Sequence, residues 1–158
     1  FIMFRKMRRF KQQISDEKCV EILTNEPRGV LALYGENGYP YALPLDHLYD
    51  DGKLYFHCAA EGHKIDAIKA NPHASYCVMD KGFRKENEWA LNINSVIVFG
   101  KISFVTDTDE KVRILRLLGN KYNPDPQDVE REIEKFLQRV CILELSIDHM
   151  TGKLVNES

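Results

Sequence analysis

Two tight-turn signals separate three β-prone runs near the front of the chain, and this spacing constrains the fold more than any other feature. "RGVLALY" and "YPYALPLDHLY" are joined by "GENG", and Asp51-Gly52 joins the second run to "KLYFHC". Connections this short link antiparallel neighbours, whereas parallel strands need a crossover of a dozen residues or so. The segment therefore predicts three antiparallel strands in a meander. Gly35 and Gly38 are turn residues here, because no helical pattern follows them as a dinucleotide or phosphate loop would require.

Further strands are predicted in "ASYCVMD", in the β-branched "SVIVFGKISFV" starting near Asn94, and in "CILELSI", where Cys141, Leu143, Leu145 and Ile147 alternate with Ile142, Glu144 and Ser146. Helices are predicted from Ser15, whose side chain can cap, to just before Pro27; from Gly62 to Asn71-Pro72; over "DTDEKVRILRLLGNKY", with Val112, Leu115, Leu118 and Tyr122 on one side; and from about Gln127 to Gln138. The expected fold is mainly β with peripheral helices: a six-stranded antiparallel barrel, closed or nearly so, because closure removes exposed edges.

With 158 residues, 44% of them hydrophobic, the chain predicts one domain. We divide it into a basic N-terminal arm (1–14), the barrel (15–150) and a polar C-terminal tail (151–158). A formal charge of −2, from 22 basic and 24 acidic residues spread along the chain, excludes an overall field suited to nucleic acid or an anionic membrane. The local exception is "FRKMRRFK", read as a solvated arm or as one that folds back onto an anion. No apolar run of signal-peptide or membrane-helix length follows it. The four cysteines, Cys19, Cys58, Cys77 and Cys141, form no CxxC pair, which argues against zinc or a disulfide framework and fits a reducing cytoplasm. Cys19, Cys77 and Cys141 read as small buried hydrophobes, while the role of Cys58 stays open.

The chemistry concentrates in "YFHCAAEGHKIDAI", where a strand hands over to a helix at Gly62. Unpaired amides at a helix N-terminus attract anions, and Lys64 and His63 add a charge and a donor, so Gly62, His63 and Lys64 can form a phosphate cradle, although composition alone favours a capped surface helix with a solvated lysine. His57 and Cys58 are strand neighbours and point to opposite faces, which separates them as a metal or nucleophile pair. No metal site is expected. His47 is read as a hydrogen-bonded structural histidine rather than a proton donor.

The run "YPYALPLDHLYDDGKLYFHCAAEGHKIDAIKANPHASYCV", continued by "SVIVFGK", with "MRRFKQQIS" before and "IDHMTGK" after it, resembles the flavin-binding split barrel of the pyridoxamine phosphate oxidase superfamily, and most of all its nitroimidazole-resistance (Nim-like) branch. The resemblance implies FMN bound at a homodimer interface, its phosphate on Gly62, His63 and Lys64. It implies that Phe56 and His57 lie against the flavin and its phosphate chain, that Tyr41, Pro44, Leu45 and Asp46 line the ring mainly through backbone groups, and that Ser95 reaches the flavin. Tyr41 replaces a phosphate-contacting arginine, His63 replaces another, and "IDHMTGKLVNES" lacks the elements that serve a pyridoxal substrate. The implied activity is transfer of electrons from a reduced nicotinamide to a small oxidised acceptor. The alternative is a flavin- or haem-binding protein without turnover.

Overall fold

The computed structural model describes residues 3–157. Its strands are β1 (Arg28–Tyr34), β2 (Pro40–Asp46), β3 (Leu48–Asp50), β4 (Lys53–Cys58), β5 (His73–Met79), β6 (Leu91–Phe104) and β7 (Cys141–Glu157), and its helices are α1 (Asp16–Asn25), α2 (His63–Ala70), α3 (Thr108–Tyr122) and α4 (Pro126–Phe136). One antiparallel sheet holds all seven strands in the order β2-β1-β5-β6-β7-β4-β3. The strand count is thus seven where the sequence predicts six. The extra strand arises because "YPYALPLDHLY" is broken at His47 into β2 and β3.

That break also replaces the predicted meander. β2 pairs with β1, whereas β3 pairs with β4, so two strands separated by one residue occupy opposite edges of the sheet. Only a rolled sheet brings those edges to one place. The barrel is therefore split, its two edges joined through the chain at His47 rather than by a hydrogen-bonded ladder.

The other boundary differences have local causes. β6 starts at Leu91, before Asn94, because the Phe83 and Asn92 backbones pair across the preceding loop. β7 continues to Glu157 through the stretch predicted as a polar tail, since β6 is long enough to pair with it throughout, from Phe104↔Leu143 to Leu91↔Glu157. The ladder slips once, between Phe99 and Gly100, where Asp148 is left without a partner.

Side chains capping three helices are visible. The Lys18 amide donates to Ser15 Oγ at 3.1 Å, that of Glu110 to Asp107 at 2.9 Å, and that of Gln127 to Asp125 at 3.0 Å, ahead of Pro126 at the first turn of α4. In α3 Leu118 is buried as predicted, together with Ile114, whereas Val112 and Leu115 are only half-buried and Tyr122 is exposed. "VRILRLL" is apolar on several sides, and packing selects among them.

Inward-facing Leu31, Leu33, Leu54, Phe56, Tyr76, Val96, Val98 and Leu145 fill the barrel, where α1 adds Cys19, Ile22 and Leu23 and α2 adds Ile65 and Ile68. A second, smaller core lies between Leu48, Tyr55 and Ile142 on the outside of the sheet and Ile114 and Leu118 of α3. Cys19 is buried as predicted, whereas Cys77 and Cys141 are only half-buried. No helix among the described residues is long and apolar enough to cross a membrane.

Candidate functional site

α2 differs from the other three helices in having no side-chain cap. Its N-cap is Gly62, at φ 129°, a conformation that a side chain rarely adopts, and a Cβ placed there would meet nothing within 4 Å. The first-turn amides of His63 and Lys64 therefore face open space across an unobstructed glycine. The Tyr41 ring from β2 stacks on His63 with centroids 4.0 Å apart and planes 18° from parallel. The arginine position of the resemblance is thus occupied by a tyrosine that steadies the histidine at the helix start.

His57 lies beside this cradle. Desolvation holds its pKa below the ordinary histidine value, while Asp46 pulls it up and Lys64 pushes it down, so His57 feels the charge of both. Asp46 is also tied to Arg28 at 2.7 Å, an exposed pair of small energetic weight that orients the carboxylate. His57 and Cys58 do face opposite ways: Cys58 packs against the barrel core, and His57 lines a cavity of about 400 Å³ with Leu118, Val129, Ile133, Phe136 and Arg139 of the α3–α4 side. No group of His, Cys, Asp and Glu suited to a metal ion occurs among the described residues.

The remaining predicted residues are more scattered. Phe56 is fully buried with its ring edge-on to Tyr76, 5.0 Å between centroids, so only its backbone can face a ligand. Leu45 is half-buried against the core, and Pro44 points outward beside Val30. Ser95 sits on the outer face of β6, where Ile97, Thr151, Lys153, Arg8 and Arg9 surround a small cavity. It is three strands from β2, a distance of about 14 Å at ordinary strand spacing. Tyr41 thus joins His63 at the Gly62–Lys64 cradle, His57 feels both Lys64 and Asp46 at the far end of β2, and Ser95 stands apart from all of them.

Two features escape the sequence reading. The first is an apolar outer face: Val30, Cys77 and Ile97 are register partners across β1, β5 and β6, and Val30, Met79, Ile97 and Phe99 are all exposed. The signal was present in "SVIVFGKISFV", whose residues are apolar on both faces, as expected of a strand covered on both sides. The second is the path of the basic arm. Ile14 N–H donates to the Gly152 carbonyl at 3.0 Å, and the Phe4 ring stacks on His149 at 4.6 Å, which lays the arm across the outside of β6 and β7.

A sequence profile of pyridoxamine 5'-phosphate oxidase matches residues 15–154. The chain belongs to the pyridoxamine 5'-phosphate oxidase family. No curated protein matches it significantly in sequence. Among solved structures it is similar to a proposed 5-nitroimidazole antibiotic resistance protein from Bacteroides thetaiotaomicron, with 23% identity, 92% of this chain and 87% of the other covered, and a TM-score of 0.76. An FAD-binding protein from Mesorhizobium loti is 24% identical over 91% of this chain and 97% of its own, with a TM-score of 0.65. An FAD- and haem-binding protein from Mycobacterium smegmatis is 23% identical over 90% and 73%, with a TM-score of 0.72. At these identities the likeness establishes the split-barrel fold.

Proposed function

We propose that this member of the family binds flavin, as FMN, between two copies of the chain, and passes electrons from a reduced nicotinamide to a small oxidised acceptor, nitroimidazoles among them. The observation that carries the flavin reading is the uncapped start of α2, with Gly62 open to close approach and Lys64 and His63 beside it. Amides, an ammonium and an imidazole donor are the chemistry a phosphate monoester needs. The donors of the cradle would hold the phosphate, and the outward backbone at Pro44 would lie along the ring. The bound group supplies the redox chemistry, and the chain supplies orientation.

The separation of Ser95 from the cradle supports a two-chain site, because a second copy seated on the exposed Val30, Ile97 and Phe99 face would bring another set of outer-face residues to the ring. FMN titration followed by sedimentation tests both parts. The parent is expected to sediment as a dimer with flavin bound, Lys64→Ala to weaken binding by about 1 to 3 kcal/mol, and riboflavin, lacking the phosphate, to bind poorly to the parent. Equal affinity of FMN for parent and variant would remove Lys64 from the site, and a monomer that retains flavin would remove the second copy.

Electron transfer carries its own prediction. Reduction of the bound flavin by NADH or NADPH, followed by stopped-flow absorbance, should be faster than reduction of free FMN, with little turnover of pyridoxamine phosphate. If neither nicotinamide gains on the free reaction, the protein is a flavin or haem carrier, the reading that the haem-binding relative favours.

A further inference from the structure

Cys58 closes β4 and Cys141 opens β7, and the two are direct partners in the antiparallel ladder. Residues opposite each other in such a ladder have Cα atoms about 4.5 or 5.5 Å apart, and disulfides span about 4.4–6.8 Å. Both side chains are half-buried and both pack on the same core cluster. The other two cysteines are placed differently: Cys19 is fully buried beneath Gly152, and Cys77 stands on the outer face between Val30 and Ile97. The Lys64 ammonium is near enough for its charge to pull the Cys58 thiol's pKa down. An ammonium beside a thiol favours the thiolate, so Lys64 partly offsets the burial that keeps Cys58 protonated and gives it a cation at hand when it attacks.

We propose that Cys58 and Cys141 form a reversible cross-strand disulfide by exchange with a low-molecular-weight disulfide. The Cys58 thiolate attacks one sulfur of the small disulfide and expels one small thiolate. Cys141, deprotonated, then attacks the Cys58 sulfur of the mixed disulfide and expels the second. In sum two protein thiols lose two protons and two electrons, and one small disulfide takes them up to become two thiols. Burial opposes the first step by holding the Cys58 thiol up at about 11, with Lys64 pulling it down, so the exchange is slow at neutral pH and needs sustained oxidising conditions. The bond would fasten β4 to β7 immediately before the Ala59–Gly62 connection that carries α2. The inference does not depend on the flavin reading.

The folded protein is incubated with oxidised glutathione, quenched by alkylation and mapped by peptide mass. The expected product is a Cys58–Cys141 linked peptide pair, lighter by two hydrogens than the reduced pair and restored by dithiothreitol. Cys141→Ser should stop at a lasting glutathione adduct on Cys58, because the resolving thiol is gone. The parent decides the matter even if the variant fails to fold: both thiols remaining alkylatable, or a glutathione adduct accumulating at Cys58 without the cross-link, would overturn the proposal.

Discussion

Replacing His47 with alanine is expected to destabilise the fold by about 3 to 5 kcal/mol, the range for emptying a buried site and stranding its hydrogen-bond partners. The imidazole is wholly buried at the one residue where the two sheet edges meet. Its Nε2 lies 2.7 Å from the Leu23 carbonyl of α1, so this nitrogen carries the proton, and Nδ1 lies 2.8 Å from the Tyr76 hydroxyl of β5. The backbone of the same residue is held from α3: the His47 carbonyl accepts from Lys121 Nζ at 2.8 Å and from the Tyr122 hydroxyl at 2.7 Å. One residue thus joins α1, β5 and the end of α3 at the split of the barrel. Urea unfolding reads the loss, and His47→Gln, which retains an amide donor for Leu23, should recover part of it. Unchanged midpoints in both variants would show that the backbone contacts alone hold the edges together.

The same histidine fixes a pH window. Burial first, and the nearby Lys121 ammonium second, depress its pKa from 6.5 to about 4. Between those values the unfolded chain binds a proton that the folded chain does not, so stability falls as pH is lowered. The contribution is complete above pH 6.5 and is lost progressively towards pH 4, amounting to about 3 kcal/mol over the window. His47→Ala should flatten this stretch of the stability curve by about one proton, a result that a purely volumetric role would not produce.

His47 also shows where the sequence stops being legible. The β-branched runs and their turns are local signals, and they locate the strands from β1 to β7. Nothing in "LPLDHLY" interrupts the β pattern, however; the break is imposed by Leu23, Tyr76, Lys121 and Tyr122, which are remote in sequence. The polar stretch after Ile147 reads as a tail because a strand paired along its length to β6 needs no apolar face of its own to be ordered. At the site, the Gly62-His63-Lys64 junction was legible because a helix start is a local event. The stacking of Tyr41 on His63 was not, since it depends on how β2 lies against α2. The burial of Phe56 follows from strand alternation once the inner face is known, but "LYFHC" is apolar on both faces and does not declare it.

Gly100→Ala is expected to destabilise by about 3 kcal/mol, the upper part of the overpacking range. A Cβ at this position would come 2.2 Å from the Ser146 carbonyl oxygen and 2.7 Å from a Leu145 methyl. The first obstacle is backbone, which cannot turn aside as a side chain can. Gly100 sits at the register slip, where the ladder passes from Phe99↔His149 to Gly100↔Ile147 and leaves Asp148 unpaired. The missing side chain lets β7 approach β6 closely enough to make that turn, and the turn presents His149 to Phe4 and Phe99 on the outer face. The substitution should therefore act twice, lowering the unfolding midpoint and releasing the N-terminal arm, which limited proteolysis after Arg8 or Arg9 would detect. Lys101→Ala, one residue along on the exposed face, is the control and should leave both unchanged. Parental stability and protection in Gly100→Ala would mean that β6 and β7 can separate at the slip without loss, and that the close approach there is incidental to the fold.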